Sequence, residues 1–170
     1  MARVATFLFL SLSLLSAGCG PEETPPPSPE ETPPTSLVPS DYASRFPVVR
    51  GCRMTFEHIS SYGAGTPSIS NIRVVTSPEA MANDRVEGRT LPVGSIVIKE
   101  EYADPTCSTI IGWTVMRKEP AGYDASHGDW HWQRVRASDR QVLEDGRVTR
   151  CISCHDTPAC TSRDWQCTQM

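Results

Sequence analysis

Residues 151–155 read Cys-Ile-Ser-Cys-His, and they follow a long stretch of strand-like sequence rather than opening the chain. Two thiols separated by two residues reach both vinyl groups of one porphyrin, and the next residue then offers an imidazole to the iron. The pattern therefore reads as a covalent c-type haem attachment site, with Cys151 and Cys154 as the thioether donors and His155 as the axial iron ligand. A zinc ribbon needs a second closely spaced ligand pair, and Cys160 and Cys167 are not spaced that way. A thioredoxin-like pair needs a βαβ unit ahead of it, and no such pattern precedes Cys151. A simple disulfide between Cys151 and Cys154 is the bland alternative.

The residues before the motif limit the fold. Ser68 to Thr76 reads as a strand, with Ile72 and Val74 on one face and Arg73 and Val75 on the other. Val93 to Tyr102, Ile110 to Lys118 and Asp129 to Val135 read as further strands, the last two joined by a hairpin through Pro120-Ala121-Gly122 and Ser126-His127-Gly128. Ser40 to Phe46 is expected to be a short helix capped by Ser40. Ser77 and Pro78 mark a second helix start, fading near Gly88, and Ser138 to Asp145 a third. Ser61 to Pro67 reads as loop. The expected class is α+β and β-rich: a small antiparallel sheet with short helices, closed by a C-terminal haem-attachment segment. An all-helical cytochrome c places its motif early, so the order of elements argues against that fold.

The first forty residues have a different character. Arg3, the apolar run Val4 to Leu15 and the small residues Ser16-Ala17-Gly18 predict an export signal over residues 1–18. That run is shorter than the ~20 residues a membrane span requires. Leu15 to Cys19 resembles a bacterial lipoprotein signal, although Ser16 stands where a branched apolar residue is usual, so Cys19 is the expected lipidation site. Residues 19–40 are then an anchor and proline-rich stalk with the near-repeat Glu-Glu-Thr-Pro-Pro at 22–26 and 30–34, and residues 41–170 a haem domain. An extended stalk of this composition rises about 3.1 Å per residue. The predicted location is the periplasm or the outer membrane surface, with the lipid as the only membrane contact.

Four of the 20 acidic residues lie in the stalk and one of the 16 basic residues is Arg3, which leaves the domain nearly neutral. Nothing in that balance suggests nucleic acid as a partner. Of the seven cysteines, Cys52, Cys107, Cys160 and Cys167 remain once lipid and haem are assigned, an even number suited to disulfides in an oxidising compartment. Three pairings are open, and Cys52–Cys107 with Cys160–Cys167 is the most economical.

Five segments in order resemble the cytochrome P-460 family, whose members carry one c-type haem on a small antiparallel sheet. They are Ile72 to Ala80, Gly94 to Glu100 with its Lys-Glu pair, Val115 to Lys118, Gly128 to Trp132, and Cys151 to His155 followed by Asp164. The resemblance runs from about residue 71 to the end. The extra cysteines, the stalk and Trp165-Gln166-Cys167 depart from the family pattern. The resemblance implies one covalently bound haem c and chemistry on small nitrogen compounds. In its hydroxylamine-oxidising branch a strand lysine is cross-linked to the haem edge, and Lys99 stands at the matching position. In its nitric oxide-binding branch the iron keeps an open face without that activity. A redox partner protein is implied in either case, and a six-coordinate electron carrier is the alternative.

Alternation places Ser95, Val97 and Lys99 on one face of their strand and Ile96, Ile98 and Glu100 on the other. Arg73 is a candidate for a distal pocket or a propionate, and equally a plain strand arginine. Glu144 and Asp145 are the acids nearest the motif, and neither aligns as a proton donor. Met54, Met81, Met116, His58, His127 and His131 are potential sixth ligands, none distinguished by the sequence, so five-coordinate iron is expected.

Overall fold

The computed structural model describes residues 32–55, 62 and 70–167. The predicted signal, Cys19, most of the stalk, His58 and most of the predicted loop 61–67 lie outside the described residues. The compact unit that carries the sheet begins at Pro33.

Six strands form one antiparallel meander: β1 (Val48–Thr55), β2 (Ser70–Thr76), β3 (Ile96–Tyr102), β4 (Ile110–Lys118), β5 (Trp130–Arg136) and β6 (Val142–Gly146). They lie side by side in chain order, the arrangement that short connections between antiparallel neighbours favour. The short helices are α1 (Tyr42–Arg45), α2 (Thr149–His155) and α3 (Pro158–Thr161), with 3-10 turns at Pro78–Asn83 and Ala125–His127. The β-rich α+β architecture is therefore observed, with the cysteine motif on α2.

Both faces of the sheet are covered. On one, Val74, Val97, Met116, Trp130 and Trp132 pack with Ala80, Leu91, Val148, Cys151 and Trp165. On the other, Val75, Ile98, Trp113, Val115 and Val135 pack with Leu37, Val38, Tyr42 and Phe46. The core thus reaches back into the proline-rich stretch, where Leu37 N–H donates to Gln133 Oε1 at 2.7 Å. Burial on both faces also explains β3, whose residues from Val97 to Tyr102 are all buried; a central strand between two layers loses simple alternation.

Four expectations need correction. Residues 142–146 form a strand rather than the end of a helix. Arg140 adopts φ 57°, Asp139 Oδ1 accepts from Gln141 N–H at 3.1 Å, and the resulting turn returns the chain along β5. The free edge of β5 then satisfies a backbone that a short isolated helix would have satisfied less well. Ser77 does not cap through its side chain: its hydroxyl accepts from Ile96 N–H at 3.0 Å, tying the turn to β3. Asp41, not Ser40, occupies the N-cap position of α1. The strand expected from Val93 begins only at Ile96, because Gly94 at φ 91° is still turning.

Candidate functional site

Strand parity fixes which side chains α2 meets. Across the sheet, Val74 pairs with Lys99, Lys99 with Thr114, Thr114 with Arg134 and Arg134 with Glu144, and directly opposed residues share a face. The adjacent row holds Val97, Met116 and Trp132, which pack with Cys151. Cys151 and His155 are therefore set over a floor that is apolar beneath Trp132 and Met116 and polar along Lys99, Thr114 and Arg134.

His155 is buried and its ring is held from two sides. Its Nδ1 lies 2.6 Å from the Trp165 carbonyl, so Nδ1 carries the proton and donates it there, which leaves the Nε2 lone pair for a metal. The Trp132 ring meets it edge-on at 4.7 Å between centroids. Burial, with a smaller contribution from Lys99, pushes the imidazole down to about 4 against the opposing pull of the Trp165 carbonyl. The neutral ring is the form that binds iron. Cys151 is buried, and desolvation, aided by Glu144, pushes its thiol up to about 11; Cys154 is exposed.

The Trp165 carbonyl is itself anchored. Asp164 and Trp165 both have positive φ, 52° and 66°, a costly conformation for two successive non-glycine residues. Asp164 sustains it by accepting from Lys118 Nζ at 2.5 Å and from Leu91 N–H at 2.8 Å. Its own carbonyl accepts from Trp130 Nε1 at 2.9 Å. Gly128 completes the seat, since a Cβ there would run into the Trp165 indole. Cys160 is disulfide-bonded to Cys167 and Cys52 to Cys107. The first bridge closes the tail around His155, with Cys167 Sγ 3.6 Å from Nδ1.

Lys99 Nζ lies 3.0 Å from Glu101 Oε1, and Glu101 also accepts from Thr114 Oγ1 at 2.8 Å. Glu101 is fully buried. It is the carboxylate the sequence reading did not identify. The signal was available, since two further residues along the face that holds Val97 and Lys99 lead to Glu101.

Arg73 does not join this group. It stands on the opposite face, where its Nε and Nη2 donate to the buried Glu100 at 2.5 and 3.0 Å. Tyr42 and Tyr102 hydroxyls donate to the same carboxylate at 2.7 and 2.9 Å. That network joins the sheet to α1 and holds Arg73 on the face away from α2.

The remaining candidates separate as clearly. Glu144 lies on the α2 face but accepts from Arg134 Nη1 at 2.7 Å. Asp145 lies on the far face, 2.7 Å from His131 Nε2, so neither His131 nor Asp145 meets α2. His127 Nδ1 is 2.9 Å from Asp124, and Met54 and Met81 are exposed. Met116 is buried in the α2-side core.

The donor set fits a haem. The floor is apolar beneath His155, its ring already has the ligand tautomer, and the buried Trp132 Nε1 has no hydrogen-bond partner among the described residues. Nor do the described residues contain a cluster of three His, Cys, Asp or Glu able to hold a bare metal ion, as the zinc alternative requires.

No curated protein matches this chain. The family model for Cytochrome P460 matches residues 53–167, most of the described domain and well over half of the chain, and the chain belongs to the cytochrome P460 family.

Proposed function

We propose that this protein is an exported cytochrome with a single haem c attached through Cys151 and Cys154, ligated by His155, and open on its other side to small nitrogen ligands such as hydroxylamine or nitric oxide. The observation that carries the reading is the 2.6 Å contact of His155 Nδ1 with the Trp165 carbonyl. It fixes one ring nitrogen as donor and leaves the other as ligand, beside two cysteines at attachment spacing. When bound, the haem supplies a redox-active iron.

The chain's own residues supply the surroundings. The Trp165 carbonyl orients His155 and raises its electron-donating power. Lys99 and Glu101 form a buried pair on the α2 face, and such a pair supplies an amine and a carboxylate as general acid–base groups away from bulk water. That capability favours oxidative chemistry on hydroxylamine, in which protons must leave the substrate. Family resemblance further supports Lys99 at the haem edge, with a cross-link in the hydroxylamine-oxidising case. The residues before 41 support export and a lipid at Cys19 through their composition alone.

A second reading, a six-coordinate electron carrier, has one observation in its favour: Met116 is buried on the α2 face. Its side chain packs among Trp130 and Trp132, as a core methionine does. Protein matured in a host that attaches c-type haem decides between the readings. Its mass should exceed the processed chain by one haem, and its absorption spectrum should change on adding nitric oxide. A low-spin spectrum indifferent to nitric oxide in both oxidation states overturns the open-face reading, and absence of haem overturns the whole.

A further inference from the structure

Strand β1 carries two arginines, Arg50 and Arg53, three residues apart. In a regular strand an odd spacing sends side chains to opposite faces. Here β1 has register shifts between Val48 and Arg50 and again between Arg50 and Arg53, so that Arg50 pairs with Val74 and Arg53 with Ile72. Ile72 and Val74 share the face that α2 covers, and the irregularities therefore turn both arginines onto it. Bulges that re-aim a side chain are concentrated beside functional sites.

A third arginine approaches from the other side. Arg85 follows the 3-10 turn in a left-handed conformation, φ 54°. Its N–H donates to Gln166 Oε1 at 2.8 Å, in the segment that also holds His155. The three guanidinium groups lie within Coulombic reach of one another, Arg50 feeling both others and Arg85 feeling Arg53. The carboxylate acting on Arg50 and Arg85 is Asp84, which already binds Arg85 Nη1 and accepts from Gln166 Nε2. Three cations facing one carboxylate leave an excess of two positive charges. The excess is also chemically unspent: Arg53 Nε and Nη2 and Arg85 Nε are buried with no hydrogen-bond partner among the described residues. Buried guanidinium N–H groups without acceptors are costly and call for an anion.

We propose that Arg50, Arg53 and Arg85 form the carboxylate-binding edge of the haem site and receive the two propionates. The assignment rests on the haem reading above. It matches that reading in position as well as in charge. Cys151 feels Glu144 of β6, Lys99 of β3 and Arg134 of β5, and the ring of Trp132 on β5 meets His155, whereas Arg50 and Arg53 lie on β1, at the other edge of the sheet. The vinyl and propionate groups occupy opposite edges of a porphyrin. A haem tethered over β3 to β6 with its vinyl edge away from β1 would direct its two carboxylates toward β1, and two negative charges would offset the excess of two. Planar guanidinium groups bind carboxylates bidentately, which also fixes the rotation of the ring.

The test uses the haem-loaded protein and its R53Q, R53K and R50Q variants, with R136Q as a distant control. Intact mass reports attachment, resonance Raman reports the propionate bending band, and a titration reports the reduction potential against pH. In R53Q the haem stays attached and the propionate band shifts. The potential falls, because a cation favouring the reduced state is gone, and its pH-dependent step moves up toward neutrality. R53K restores part of each change, and R136Q matches the parent. R50Q, altered at a partly exposed edge residue, carries the same expectation if R53Q folds poorly. Unchanged propionate bands and an unchanged potential profile in R53Q and R50Q overturn the assignment while leaving the haem reading intact. A parent potential that responds to added phosphate, with propionate bands indifferent to R53Q, overturns it in favour of an exchangeable anion. A parent without haem overturns the reading on which it rests.

Discussion

The imidazole of His155 and the carbonyl of Trp165 meet at 2.6 Å across ten residues of chain, and a disulfide, an aspartate and a glycine converge to keep them there. The tail after α2 is thus the outer support of the candidate iron ligand, and its parts are separable by mutation.

Removing Cys160 and Cys167 should cost less stability than removing Cys52 and Cys107, because the first pair closes a short loop and the second spans 55 residues. Chain-entropy arguments give about 2.5 and about 4 kcal/mol respectively. The order reverses at His155: C160A/C167A should lower the iron–histidine stretching frequency of the haem-loaded protein, and C52A/C107A should leave it unchanged. Denaturant melts with resonance Raman on both variants check the pair of outcomes, and peptide mapping without reduction checks the connectivity.

Gly128→Ala should destabilise the domain by about 2–3 kcal/mol, since φ is 69° and a Cβ there would collide with the Trp165 ring. Gly122→Ala pays only the backbone part, about 1 kcal/mol, because nothing lies within 4 Å of its Cβ position despite φ 95°. Urea midpoints at constant slope measure the difference. Equal losses would show that the indole does not rest on Gly128.

Glu101→Gln should be more damaging than the double replacement K99M/E101L. The single change leaves a buried ammonium short of its carboxylate and costs about 3 kcal/mol or more, whereas the pair of apolar residues removes both charges together. Thermal and denaturant unfolding test the ranking. Lys99→Arg keeps the charge, and a proteolytic digest should then show haem only on the peptide that contains Cys151 and Cys154. A spectrum identical to that of the parent would mean that Lys99 makes no covalent link.

Arg73→Ala should lower stability by about 1–2 kcal/mol, through weakened support of the buried Glu100, while leaving the haem spectrum and nitric oxide response as they were. A changed ligand response would return Arg73 to the haem side of the sheet.

Much of this was legible in the residues themselves. The Cys-x-x-Cys-His spacing is local chemistry, and the strands at 110–118 and 130–136 announce themselves through apolar and aromatic residues with turn-forming neighbours. Alternation alone put Lys99 with Val97, because a pleat has a period of two regardless of what covers it. The strand at 142–146 was not legible, since Val-Leu-Glu-Asp-Gly carries no pattern of its own and becomes a strand only by completing the edge of β5. Which face α2 covers was likewise undetermined: β3 is buried on both sides, so hydrophobicity could not say whether Lys99 or Arg73 meets the cysteines. Packing decided it, by laying residues 37–46 on one face and the C-terminal segment on the other. The arginine pair on β1 shows the same division. The sequence states that two cations stand three apart, and only the irregular register turns them to one side.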